Sequence, residues 1–223
     1  MIEGQDVTLT TLESFVDSAY LDFEITGINA VQSSMNPGIM GLLVRDEYLC
    51  LVLDEKLSSL AEIFPQYCVF DSEMDYVTYI QDWLVEVDED GETIWTWTWS
   101  ERDIEWFSQY IGTFSDVGLR PVNAIQWVRK HGRARGLRNP HSLEKYMIEV
   151  GHKFPKVGYA SKLIQSLREY DTLEKTVDDK FRKTAFDLLI YNYHDCYGMR
   201  EVMLDMHGYR SPFSPIDEFN VEE

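Results

Sequence analysis

Two pairs of side chains in this 223-residue chain have the types and spacing for chemistry, one near each end. The first is Asp22 with Glu24, in the run Tyr20-Leu21-Asp22-Phe23-Glu24. The second is Tyr191 with Asp195, in Tyr191-Asn192-Tyr193-His194-Asp195-Cys196. Residues i and i+2 of a β-strand project from one face, so Asp22 and Glu24 emerge together if their run is a strand. Residues i and i+4 of a helix stack, which sets the Tyr191 phenol one turn from the Asp195 carboxylate. Carboxylate oxygens are hard ligands suited to Mg²⁺ or Mn²⁺, and a phenol beside them can position a water.

Neither spacing is specific by itself in so acidic a chain. Asp71-Ser72-Glu73 and Asp90-Gly91-Glu92 repeat the first, and Tyr67 with Asp71 repeats the second. Position separates the cases. Asp71 and Glu73 fall at an expected helix start, where acids favour the positive end of the helix dipole, and Asp90 and Glu92 fall in a polar turn. Only Asp22 and Glu24 lie inside an apolar run, where two neighbouring carboxylates repel and lose hydration unless cations offset them.

The elements that must position these groups follow from hydrophobic periodicity. Ser18–Ile25 is the strand carrying Asp22 and Glu24, and the turn-forming residues between Gly27 and Gly38 make a loop after it. Ile39–Val44 and Tyr48–Leu53 read as a hairpin across Arg45-Asp46-Glu47. A short apolar segment at Cys68-Val69-Phe70 precedes an amphipathic helix over 72–87, capped by Ser72, with Val77, Ile80, Trp83, Leu84 and Val87 on one face. Ile94–Trp99 is a strand, and a helix from Ser100 turns Ile104, Phe107 and Ile111 inward. Leu119–Ala124 is a fifth, short strand, followed by helices over Ile125–Lys130, His141–Val150 and Val177–Met206. The last carries Leu188, Leu189, Tyr193, Cys196, Met199, Val202 and Met203 as its apolar stripe.

In this order, the outer motifs and the Ser72-Glu73-Met74 run before a helix ending in Trp83-Leu84 resemble the DEDD superfamily of 3′–5′ exonucleases. The third motif, Tyr-x-x-x-Asp, is that of its tyrosine branch, and the chain is similar to bacterial ribonuclease H-like exonucleases over about residues 19–207. The histidine branch has His five residues before the final Asp, a position held here by Ile190. The resemblance implies an α/β fold of ribonuclease H-like type, with a mixed five-stranded sheet and helices on both faces. It implies one exonuclease domain over 1–210, leaving 211–223 as an acidic, flexible tail. It further implies hydrolysis of phosphodiester bonds with two divalent ions, Mg²⁺ or Mn²⁺, about 3.5–4 Å apart. Asp22, Glu24, Asp103 and Asp195 would hold the ions, and Tyr191 would orient the attacking water. The middle motif departs from the family pattern. Asp103 has apolar residues at +1 and +4 as that pattern expects, and Glu101 is the alternative acid.

The strongest basic segment holds Arg129, Lys130, Arg133, Arg135 and Arg138, and is the candidate for phosphate contact against a solvated loop that pairs with the chain's own carboxylates. Trp95, Trp97 and Trp99 alternate, and are assigned to a buried strand ladder rather than to base stacking. A formal net charge of −19 argues against a protein that coats nucleic acid, so any basic contact surface is local. The same acidity favours a basic protein partner, which suits a second reading, a catalytically degenerate ribonuclease H-like module in a nucleic-acid-processing complex. An acidic nucleic-acid mimic fits less well, because the carboxylates lie inside hydrophobic elements. Cys50, Cys68 and Cys196 are odd in number and widely spaced, which points to buried apolar residues rather than to disulfides or zinc. No apolar run approaches the roughly 20 residues of a membrane span, and the start lacks a signal-peptide pattern, so a cytoplasmic protein is expected.

Overall fold

The computed structural model describes residues 15–25, 36–87, 94–131, 142–149, 159–170 and 178–209. Its strands are β1 (Ala19–Ile25), β2 (Pro37–Val44), β3 (Glu47–Val52), β4 (Cys68–Val69), β5 (Ile94–Thr98) and β6 (Leu119–Asn123). Its helices are α1 (Ser59–Ile63), α2 (Tyr76–Val87), α3 (Glu101–Tyr110), α4 (Ala124–His131), α5 (Leu143–Glu149), α6 (Ala160–Glu169) and α7 (Asp179–Met206). The fold is α/β, and one sheet has the order β4-β3-β2-β1-β5-β6. β1 and β2 pair antiparallel, as do β2 and β3, whereas β1 with β5 and β5 with β6 run parallel.

The expected count of five strands becomes six. The apolar segment at Cys68 adds a two-residue edge strand, parallel to β3 through Cys50↔Cys68 and Leu51↔Val69. Two residues are too short to show alternation, so periodicity gave this segment no strand identity. Pro121, which has no amide to donate, lies in β6 at the opposite edge, where that loss is tolerated. β2 is buried along its whole length, and its near-continuous apolar sequence is that of a strand covered on both faces.

Alternation divides each central strand between two cores. Tyr20, Ile39, Leu43, Tyr48, Cys50 and Trp97 join the stripe of α7 and the buried sides of α4, α5 and α6. Leu21, Phe23, Met40, Leu42, Leu49 and Leu51 pack against Ile80 and Leu84 of α2 and Phe107 of α3. Helices therefore cover both faces. All seven expected stripe residues of α7 are buried. Trp97 is buried against Phe15 and Trp127, as a strand ladder requires, while Trp95 and Trp99 are half-buried. The three cysteines are free and buried.

Three elements differ from the sequence reading for local reasons. α2 begins at Tyr76, because Asp75 rather than Ser72 caps it: Asp75 Oδ1 accepts from the amides of Val77 and Thr78 at 3.1 and 3.4 Å. α1 and α6 were not expected. The first is five residues long, below the reach of a 3.6-residue period, and the second shows its pattern only in Ala160, Ile164 and Leu167. Residues 211–223 lie outside the described residues. Among the described residues, no helix is long and apolar enough to cross a membrane.

The β2–β3 hairpin is clamped at the edge of the sheet away from Asp22. Arg45 sits in the left-handed region with φ 53°, its Nε on Asp17 at 3.0 Å and its Nη1 donating to the Val87 carbonyl at 3.1 Å. From α7, the fully buried Arg200 donates to the Arg45 carbonyl and approaches Asp46 at 3.7 Å. Arg200→Ala should lower stability by about 2–4 kcal/mol through lost packing and the uncovered carbonyl. Asp46→Asn, at an exposed carboxylate, should cost less than about 1 kcal/mol. Equal midpoint shifts for the two variants in urea denaturation would show that the ion pair, not the buried guanidinium, holds the hairpin.

Candidate metal centre

The site is built where β1 leaves the centre of the sheet and passes under α7. Alternation places Asp22 and Glu24 on the Tyr20 face of β1, the face that α7 covers, and α7 supplies Asp195. One ligand atom from each of Asp22, Glu24 and Asp195 lies within 4.8 Å of the others. Glu24 is only 7% exposed, and its Oε1 has no hydrogen-bond partner. A buried carboxylate oxygen with no donor is costly unless a cation faces it or a proton neutralises the group. The donor set is all oxygen, as Mg²⁺ and Mn²⁺ prefer, so these residues fit a divalent cation.

α7 is tied to β1 at the same place. Asn192, one turn before Asp195, is fully buried and donates through Nδ2 to Asp22 Oδ2 at 3.1 Å and to the Asp22 carbonyl at 3.3 Å. Its Oδ1 accepts from the Tyr48 hydroxyl at 2.7 Å. The Asp22 backbone also hydrogen-bonds the Cys196 side chain.

Of the two candidates for the middle acid, Asp103 faces the centre and Glu101 does not. Ser100 caps α3 by a reciprocal box, its amide and hydroxyl each donating to Asp103 Oδ2 at 2.9 Å. Asp103 is 5% exposed, and its charge reaches Asp22, Glu24 and Asp195, although it stands outside the trio that shares the 4.8 Å sphere. Glu101 is exposed and accepts from Gln126 Nε2.

The carboxylates are held against ionisation. Burial, then Glu24, Asp195 and Asp103, push Asp22 well above the carboxylate range, and burial followed by Asp195 does the same to Glu24. Asp195 is raised to about 8, by burial first and then by Glu144 and Asp103. Asp103 rises only to about 6, because the Ser100 hydrogen bonds and Arg102 counter its burial. Burial and the charges of Asp195, Glu24 and Asp22 push the Tyr191 phenol upward, so it stays protonated and meets an anion as a donor.

Two residues at the centre escaped the sequence reading. Asn192 carried a signal in retrospect, since asparagine is disfavoured in helix interiors and this one interrupts an apolar stripe. Glu144 of α5 acts on both Asp195 and Tyr191, and nothing in its spacing announces this. α5 reaches α7 because Gly198 has no side chain: a Cβ there would lie 1.8 Å from Met147 Cε. Of the basic candidates, Arg129 and Lys130 are exposed in the last turns of α4. They follow Trp127, which packs on His207 at the end of α7, on the order of 18 Å along the helix from Asp195. Arg133, Arg135 and Arg138 lie outside the described residues. Comparison of the chain with family models, with curated proteins and with solved structures finds no match.

The raised acids set the direction of pH dependence. Native Asp103 and Asp195 hold protons that the unfolded chain releases near pH 4, so their contribution to stability is present at low pH and lost as pH rises through about 6 and about 8. Metal-free protein should therefore melt at falling temperature from about pH 5 to about pH 9, the upper part of that fall should flatten in Asp195→Asn, and millimolar Mn²⁺ should reverse it. Calorimetric scans in EDTA and in Mn²⁺ check this. A melting temperature that rises with pH in EDTA would show that these carboxylates are not crowded.

Proposed function

We propose that the chain is a metal-dependent 3′–5′ exonuclease of ribonuclease H-like fold, tyrosine branch, acting on DNA or RNA. The observation that carries this reading is the sphere of Asp22, Glu24 and Asp195 within 4.8 Å, with the buried Glu24 Oε1 left without a partner. The sheet is compatible with it, being mixed and covered by helices on both faces, although it has six strands where five are expected.

Divalent cations bound at such a centre would supply charge neutralisation at the phosphodiester and lower the pKa of a nearby water. Asp22, Glu24 and Asp195 are the residues to hold them, with Asp103 close enough to add charge. In the hydrolysis, a water oxygen would form a bond to the last phosphorus as the water's proton passes to solvent, and the bond from that phosphorus to the 3′ oxygen would break, the 3′ oxygen taking a proton from solvent and a 5′-mononucleotide being released. The Tyr191 hydroxyl, kept protonated, orients that water by hydrogen bonding rather than by removing a proton. The basic stretch that includes Arg133, Arg135 and Arg138 is the proposed phosphate contact.

A second reading is favoured by one observation. Asp103 Oδ2 is engaged in the α3 cap, which commits part of the middle acid to holding the helix. A module that has lost catalysis would keep that cap and use its acidity toward a basic protein partner.

Single-stranded DNA and RNA labelled at either end, incubated with Mn²⁺, Mg²⁺ or EDTA, distinguish the two. Wild type should release mononucleotides from the 3′ end in either metal and none in EDTA. Asp195→Asn should lose cation binding and activity together, whereas Tyr191→Phe should keep the cations and the fold but hydrolyse about 10²-fold more slowly, as expected for a positioned group. Full activity in Tyr191→Phe would remove the tyrosine-branch assignment, and no release by wild type in any metal would leave the degenerate module as the better reading.

A further inference from the structure

An asparagine amide has a donor end and an acceptor end that are nearly the same shape, so its neighbours decide which way it faces. At Asn192 that choice matters. The Nδ2 end meets Asp22 Oδ2 at 3.1 Å and the Asp22 carbonyl at 3.3 Å, both acceptors, and a flipped amide would set oxygen against oxygen there. The Tyr48 hydroxyl fixes the orientation from the other side by donating to Oδ1 at 2.7 Å. Tyr48 is buried in β3, its ring edge-on to Tyr193 of α7 at 5.5 Å, so the phenol is held in place by packing.

The space for this amide comes from β2. Gly41 is the residue paired with Asp22 across the sheet, and a Cβ on it would lie 1.8 Å from Asn192 Oδ1, 2.9 Å from Asn192 Cγ and 3.1 Å from Tyr48 Cε2. A side chain of any size at position 41 would therefore push the amide off Asp22. Residues from β2, β3 and α7 thus converge on a single carboxylate of β1. Because Asn192 and Asp195 are three residues apart on α7, whatever fixes Asn192 on Asp22 also fixes the rotation at which Asp195 meets Asp22 and Glu24.

The geometry points to Tyr48 and Asn192 as positioning residues that orient the Asp22 carboxylate for a divalent cation, in a slot that Gly41 leaves open. This rests on the cation reading of the Asp22, Glu24 and Asp195 sphere. Neither residue is placed to touch substrate. Tyr48 acts through Asn192, and Asn192 acts through Asp22 and, by a further hydrogen bond, Glu24. Hydrogen-bonded partners of metal ligands typically change affinity by about 10- to 100-fold when removed, which sets the size of effect to look for.

The test is Mn²⁺ affinity, measured by calorimetric titration on full-length wild type, Tyr48→Phe, Asn192→Leu, the double variant and Asp22→Asn, each first checked for folding by circular dichroism in EDTA. Tyr48→Phe keeps the packed ring and should lose about 10-fold or more in affinity, and Asn192→Leu at least as much. The double variant should be no weaker than Asn192→Leu alone, because the phenol acts only through the amide. A purely structural role would lower the melting temperature and leave the affinity of the folded protein unchanged. Wild-type affinity in Tyr48→Phe and Asn192→Leu, beside a defective Asp22→Asn, overturns the positioning role and leaves the cation site standing. A wild type that binds no Mn²⁺ overturns both. If Asn192→Leu does not fold, Tyr48→Phe decides by itself.

Discussion

Repulsion among Asp22, Glu24 and Asp195 is the term around which the rest of the molecule is arranged. Two unit charges 4.8 Å apart, the widest separation of the trio's facing oxygens, would at an effective dielectric of about 20 cost roughly 3.5 kcal/mol if both were ionised, and three carboxylates make three pairs. That cost is comparable with what burying an apolar side chain contributes, about 1.5–3 kcal/mol each. The protein meets it in two ways. Burial and mutual repulsion raise the titration of the acids, so protons are retained on them, and an extensive apolar stripe presses α7 onto the sheet.

The pressing is distributed along α7 so that the helix has little freedom to slide or rotate away from the carboxylates. Near its middle, Asn192 and Cys196 engage Asp22. One turn on, Gly198 receives Met147 of α5. Two residues further, Arg200 reaches the β2–β3 turn at the other edge of the sheet. At the end, His207 stacks among Phe15 and Trp127 at 4.2 and 5.8 Å, next to Trp97 of β5. Relief of the repulsion by tilting the helix would have to break several of these at once. A centre that crowds like charges needs such a rigid surround, and a loop could not supply it.

What was legible in the sequence follows the range of the interactions involved. The strand bearing Asp22 and Glu24, the hairpin, and the stripe of α7 are local patterns of period 2 or 3.6, and each was visible without its partners. The pairing of Asp22 with Asp195 spans more than 170 residues, and only the resemblance to a motif order suggested it. Glu101 and Asp103 could not be separated by spacing, because the choice depends on which of them the Ser100 cap turns toward the sheet. Glu144 and Tyr48 gave no signal at all. The first depends on a notch at Gly198, the second on a vacancy at Gly41 opposite Asp22, and a glycine in a sequence does not say what fills its place.

The difference between Asp103 and the other acids bears on how a cation would be received. With its titration near 6, Asp103 is mainly ionised at neutral pH, whereas Asp195, near 8, is mainly protonated, and Asp22 and Glu24 lie well above the usual range. At neutral pH the α3 cap therefore holds a charged Asp103 beside an Asp195 that still carries its proton. A divalent cation bound there would be attracted by the first and would displace the proton of the second, so its uptake would be coupled to proton release and would strengthen with pH. The Ser100 cap then has a consequence beyond α3. By stabilising the ionised form of Asp103 with two hydrogen bonds, it keeps a charge beside Asp195 where Asp195 is still protonated, and the helix start and the acidic cluster share one side chain.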